Sequence, residues 1–268
     1  MSTVLKVRSP KFSWRDDDPR YWFDNCSIKT NALNALSTLF PAGERFFIQS
    51  IVAFKDQVTD ETLKQQIDGF VGQEGAHTRE HSAFNQKLVR SGYPVDEMTK
   101  LAENLLKQSR NHPSRRPRYL AVTTALEHCT TIFCTMTLSS SYFTDPMQGD
   151  YQRLWGWHCI EEIEHKAVAF DVYQACVGSY RIRLFGFIEA SIGLAYLLFR
   201  ILCEYQATDK RLFNLSDWFK LFVWTVIWPG IIPRLAWRYF SYLRPGFHPN
   251  DFNDEKLLHK WKEKLKIE

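Results

Sequence analysis

The feature that most constrains this chain is a repeated spacing of acidic and imidazole side chains about two turns. Glu74 and His77 form an E-x-x-H, and so do Glu162 and His165. Residues three apart on a helix share a face, so each E-x-x-H offers two donors to one point. Glu44 and Glu74 are 30 residues apart, with their midpoint at residue 59, on the turn-forming Thr59-Asp60. Glu127 and Glu162 are 35 apart, with their midpoint between residues 144 and 145, on Thr144-Asp145-Pro146. In an antiparallel helical hairpin, residues equidistant from the turn sit at equal height. At ~1.5 Å per residue, each pair lies roughly 22–26 Å from its turn. Two hairpins thus set a Glu opposite an E-x-x-H at similar depth, twice.

Helical periodicity supplies the elements. Residues 29–39 form a short helix broken by Pro41, which suits the first turn of a second helix running to about Gln57. Thr59-Asp60-Glu61 launches a long helix that ends near Gly92-Tyr93-Pro94. An amphipathic helix follows over 96–109, then a loop from Arg110 to Arg118 with two prolines and four arginines. Further helices are expected over 117–141 and 148–176, the latter stopped by Gly178. Residues 184–199 are apolar except for Glu189, residues 221–233 carry no charge, and Asp254–Glu268 is a charged amphipathic tail. The expected class is all-α: a four-helix bundle over 29–178, with apolar helices and the tail over 179–268, in one domain.

Burial of the carboxylates follows from their neighbours. Glu44 is flanked by Phe40, Phe46 and Phe47, Glu74 by Phe70 and Val71, Glu127 by Leu126 and Ile132. Anions on such faces are costly unless paired with cations. Four Glu carry enough charge to neutralise two divalent ions. One Glu from each of two helices, with E-x-x-H from each of two others, is the ligand arrangement of di-iron and di-manganese carboxylate bundles. Mixed oxygen and nitrogen donors suit Fe, Mn or a mixed pair better than Zn.

The stretches FPAGERFF, FVGQEGAHTREH, ALEHCT and WHCIEEIEHKAVAFDVY resemble the signature blocks of a bacterial family called predicted metal-dependent hydrolase, within the ferritin-like di-iron superfamily. The resemblance covers about residues 15–245. It implies a ferritin-like fold and Glu44, Glu74, His77, Glu127, Glu162 and His165 as ligands. By analogy with the superfamily, Glu74 and Glu162 bridge two metals, each of which takes His77 or His165. His158 lies one turn before Glu162, giving H-x3-E-x2-H, which is similar to the arylamine N-oxygenase branch, where an additional histidine binds one iron; His158 would add to the second metal. Near these residues, Glu161 and Glu164 fall off the ligand face and read as surface carboxylates or supporters of a ligand, His81 is expected to support a ligand or lie exposed, with ligation the lesser alternative, and His128 faces away. Asp171 is a candidate to orient a ligand histidine, and Cys129 and Cys159 read as core.

Composition sets the remaining limits. A net charge of +4, from 34 basic and 30 acidic residues, gives no broad nucleic-acid surface. Six cysteines without a CxxC pair read as free thiols of a reducing compartment. The first thirty residues contain no stretch suited to a secretory signal, so a cytoplasmic location is expected, or one at the periphery of the inner membrane. Nine Trp and twenty Phe need a core, a greasy substrate or a membrane. The uncharged run of 13 residues is shorter than the ~18–20 needed to span a bilayer. Trp224, Trp228 and Trp237 with Arg234 and Arg238 suit an interfacial seat. The expected function is oxygen-dependent oxidation of a hydrophobic or amphipathic small molecule, served by an electron donor. The alternatives are hydrolysis of an ester, amide or phosphate, and a non-catalytic metal-binding bundle with no cavity reaching the ligands.

Overall fold

The computed structural model describes residues 4–107 and 113–267. The first hairpin is α1 (Ser27–Val52) and α2 (Glu61–Arg90), followed by α3 (Val95–Lys107). The second is α4 (Arg116–Leu138) and α6 (Gly149–His165), with the short α5 (Ser141–Thr144) in its connection. Then come α7 (Val168–Cys176), α8 (Tyr180–Thr208), α9 (Leu215–Val226), α10 (Ile231–Ser241) and α11 (Glu255–Leu265). Among the described residues there is no strand, so the all-α expectation holds. Helices α1, α2, α6 and α4 each touch the next, closing a four-membered ring. Outside it, α3 covers α1, α8 lies along α1 and α4, α9 and α10 extend that layer, and α11 packs on α6.

Three boundaries differ from the sequence expectation, the first with a clear cause. Pro41 sits inside α1 and does not break it. A proline in a helix removes the N–H that would bond to the carbonyl four residues back, here Ser37. That carbonyl instead accepts from the Asn85 side-chain amide on α2 at 3.0 Å. The partner that lets the helix continue comes from the neighbouring helix and is invisible to local periodicity. Second, the 148–176 helix divides after His165, where the Lys166 ammonium reaches the Phe252 carbonyl at 2.6 Å and Asp254 at 2.8 Å. Third, Pro113–Arg115 is a 3₁₀ turn and α4 starts at Arg116, inside the expected loop; residues 110–112 of that loop lie outside the described residues.

The start of α2 follows its cap, Asp60 accepting from the Thr62 and Leu63 amides at 2.7 and 3.3 Å. Its end follows Gly92, at φ 88°, with the Tyr93 amide returning to the Leu88 carbonyl. Close approach fixes two further glycines. A Cβ on Gly186 of α8 would stand 2.7 Å from the Ala121 backbone of α4, so this layer meets the bundle backbone to backbone. A Cβ on Gly72 of α2 would stand 2.4 Å from Val7, because the extended N-terminal segment lies across that helix.

Candidate metal centre

All seven sequence-derived donors converge in the core of the ring. Glu44, Glu74, His77, Glu127, His158, Glu162 and His165 are each at most 1% exposed. Glu44, His77 and His158 offer donor atoms that all lie within 4.8 Å of one another, and so do Glu74, Glu162 and His165. Glu127 adjoins the second set, its Oε2 standing 3.5 Å from His165 Nε2. Two carboxylates serve both sets. Glu162 turns Oε1 towards His158 Nε2 and His77 Nδ1, at 3.4 and 3.7 Å, and Oε2 towards His165 Nε2 at 3.6 Å. Glu74 Oε1 stands 3.1 Å from His165 Nε2 and 3.8 Å from His77 Nδ1.

The placement of His158 refines the ligand grouping. It joins His77 and Glu44 from across the bundle, not His165 on its own helix. His158 and His165 are seven residues apart, about 10 Å along the axis, further than the ~4 Å between paired metals. Glu162, between them, reaches both.

His158 and His165 each have the second ring nitrogen held by a hydrogen bond that assigns the tautomer, while His77 turns its Nε2 towards Glu161. Asn85 gives its amide to the Ser37 carbonyl, so its oxygen is the acceptor for the Ser37 hydroxyl at 2.9 Å. With its proton used, Ser37 Oγ accepts from His81 Nδ1 at 2.8 Å, and His81 Nε2 accepts from His158 Nδ1 at 3.1 Å. His158 Nε2 therefore turns a lone pair to the centre. His165 follows the same logic: the Gln73 amide donates to the Lys6 carbonyl and to Glu164, each at 3.0 Å, so the Gln73 oxygen accepts from His165 Nδ1 at 3.0 Å. His77 Nε2 stands 3.1 Å from Glu161 Oε2, leaving Nδ1 for the centre. Such partners fix the ring orientation of metal-bound histidines.

Sequence reasoning missed Gln73 and left Glu161 between a surface and a supporting place; the structure gives it the latter, 3.1 Å from His77. Glu161 is buried, and Arg8 of the N-terminal segment binds it at 3.1 Å and Glu164 at 2.7 Å. A signal was present: each supporter directly precedes the Glu of an E-x-x-H. The exchange is reciprocal, Gln73 of α2 holding His165 of α6 and Glu161 of α6 approaching His77 of α2. His81 does support a ligand. His128 stays outside, bonded to the Arg238 carbonyl, and burial lowers its pKa to about 4. Asp171 does not orient a ligand; it bonds His248 at 2.8 Å near the surface. Cys159 is core, whereas Cys129 lines the pocket described below.

The charges test whether cations fit. Glu161 and Glu164 are answered by Arg8 and Lys262. Among the described residues no lysine or arginine reaches Glu44, Glu74, Glu127 or Glu162. Oxygens of Glu44, Glu74 and Glu127, His77 Nδ1 and the Nε2 atoms of His158 and His165 are buried without a hydrogen-bond partner. Burial, then the neighbouring carboxylates, raises Glu44 and Glu127 well above the usual carboxylate range. Burial also pushes Glu162 up, but His165, His77 and the Thr130 hydroxyl outweigh it and hold it below that range. Burial lowers His165, yet Glu162, Glu74 and Glu127 overcome it and raise its pKa well above normal. A field that holds a proton there also attracts a metal ion. Four uncompensated carboxylates at several kcal/mol each fit two divalent cations.

A cavity of about 680 Å³ reaches this centre between α1, α4 and the α8–α10 layer. Among the described residues its charged lining is Glu44, buried at the inner end, and Glu189, part-exposed at the rim and paired with Arg118 at 2.6 Å. Leu36, Phe40, Leu126 and Leu197 typify the walls between.

The fold and site define an all-α bundle enclosing a carboxylate–histidine cluster able to bind metal. The chain belongs to the family described as predicted metal-dependent hydrolase, which it matches over residues 6–253. No curated protein and no solved structure matches it significantly. The family description agrees with the hydrolytic alternative raised from sequence better than with the oxidative expectation.

Proposed function

We propose that the chain is a dinuclear metalloenzyme acting on an apolar or amphipathic small molecule. The observation that carries this reading is that Glu44 belongs both to the donor cluster and to the apolar cavity. Glu44, His77 and His158 would hold one cation, Glu127 and His165 the other, with Glu74 and Glu162 shared. When bound, the pair supplies either redox equivalents for oxygen-dependent oxidation or Lewis acidity for hydrolysis.

The chain's own groups do the rest. The aliphatic and aromatic walls accept an alkyl chain and keep water scarce. Thr78 donates to Glu44 at 2.8 Å and Thr130 to Glu162 at 2.7 Å, fixing one oxygen of each carboxylate. His81, kept neutral by burial and by His77, accepts the His158 proton so that Nε2 faces inward.

The donor set, four carboxylates and three imidazoles with no thiolate, favours iron or manganese. Among the described residues the cavity offers no charged group between Glu44 and Glu189 to receive a polar scissile bond. Both points favour oxidation. Hydrolysis is the second reading, favoured by the family description. The non-catalytic alternative expects a sealed bundle, and the cavity argues against it. Anaerobic purification, metal analysis and turnover of acyl-chain amphiphiles with and without oxygen and reductant decide the matter. Ester cleavage without oxygen, supported by Zn or Mn, would replace oxidation with hydrolysis. Glu127→Ala should abolish loading of the pair; retention of two metals per chain would overturn the ligand assignment.

A further inference from the structure

The cavity opens through residues that also belong to an exposed apolar face. Ile192, Tyr196 and Phe199 of α8 line the cavity and are 67%, 51% and 61% exposed. Around them α9 exposes Phe219, and the α9–α10 pair exposes Trp228 and Trp237, at 70% and 77%. Large apolar side chains exposed on three successive helices mark a binding face. Lys210 and Lys220 are exposed on the same layer, and among the described residues neither has a carboxylate at ion-pair distance. Exposed indoles together with exposed, unanswered cations fit the interfacial zone of an anionic bilayer.

Two arguments favour a lipid surface lying against this face over other occupants. A second copy or a partner protein seated on Ile192, Tyr196 and Phe199 would close the mouth, whereas lipid is continuous with its contents. Helix α8 is, by length and composition, apolar enough to cross a membrane, and α9 with α10 pass the same test as a bent pair. Yet α8 commits its other face to α1 and α4, burying Phe187, Ala190, Ile201 and Tyr205 and abutting Ala121 through Gly186. A helix so engaged lies on a bilayer with its free face down.

We propose that the α8–α10 face docks on an anionic lipid surface, and that the cavity draws an acyl-chain amphiphile from it, tail first, towards Glu44. The head group then stays at the rim beside Arg118 and Glu189. The substrate half of this proposal rests on reading the centre as an enzyme's; the docking half does not, and neither test below requires metal or turnover.

Docking is measured by sedimenting the full chain with vesicles of phosphatidylcholine alone or with about 30 mol% phosphatidylglycerol. Wild type should prefer the anionic vesicles, and Lys210→Gln with Lys220→Gln should weaken that binding about 30-fold. Trp228→Ser with Trp237→Ser should weaken binding to them about tenfold or more. Equal binding by all three proteins overturns docking. So does absence of vesicle binding by a wild-type dimer that the tryptophan variant converts to monomer. Entry is measured by calorimetric titration of laurate without vesicles. Gly193 lines the cavity, and a Cβ there meets no atom within 4 Å, so Gly193→Phe fills the passage without displacing backbone. The variant should lose laurate binding while keeping vesicle binding and the wild-type circular dichroism; laurate binding at wild-type strength overturns the route.

Discussion

Gln73 and Glu161 do equivalent jobs with unequal charge. His165 leans on a neutral amide, His77 on a carboxylate that Arg8 partly compensates. Two cations held there would be inequivalent, the one at His77 having the more electron-rich imidazole. Gln73→Leu should weaken the cation at His165 by about 10–100-fold and leave the other less affected, while Glu161→Leu should do the reverse. Stepwise metal titration followed by calorimetry resolves this, and equal losses at both steps in either variant would contradict the assignment. The donors themselves were legible in the sequence, because i to i+3 spacing and distance from a turn are one-dimensional quantities. Of their supporters, His81 was legible too, but Gln73 and the partner of Glu161 were not, because each meets its histidine only across the bundle.

At the scale of elements, Pro41 teaches the same lesson. Periodicity expects a break, and the break is averted by Asn85, 44 positions downstream. Replacing Asn85 with Leu strands the Ser37 carbonyl and should cost about 2–3 kcal/mol in urea denaturation. In a Pro41→Ala background the backbone bond can re-form, so the same change should cost at least about 1 kcal/mol less. Additive effects in that double-mutant cycle would refute the link. The hairpin arithmetic survived because it depends only on distance from the turns, whereas at the 166–167 division of the fourth long helix Lys166 reaches the C-terminal segment. Local sequence carries no trace of such a tether.

At the scale of the whole molecule, the cluster is a burden to the metal-free chain. Removing the cations with a chelator should lower the melting temperature by about 10 °C relative to protein with metal at about a thousand times its Kd. An unchanged transition in calorimetry would mean that the carboxylates are not metal-bound. A second, surface-level effect is separable by pH. Asp171 raises the His248 pKa, chiefly through their hydrogen bond. A raised folded pKa gives stability that is complete below the ordinary imidazole range and disappears as pH rises through the folded value. From about pH 6 to pH 8 the wild type should therefore lose more thermal stability than Asp171→Asn, both measured with metal present; parallel curves would remove this pair from the account. The all-α class and the bundle were readable from pattern alone. A lining for a hydrophobic substrate was one reading of residues 184–233, but the cavity's place was not legible, since it is space left between α1, α4 and a layer that begins at Tyr180, 42 residues after α4 ends at Leu138.

The segment that lies across Gly72 carries a consequence for the order of assembly. Arg8 lies 153 residues before the Glu161 it neutralises, so their contact closes a long loop and depends on α6 being in place. Until Arg8 docks, Glu161 lacks the guanidinium that answers it, so the strap settles the charge on that flank of the bundle.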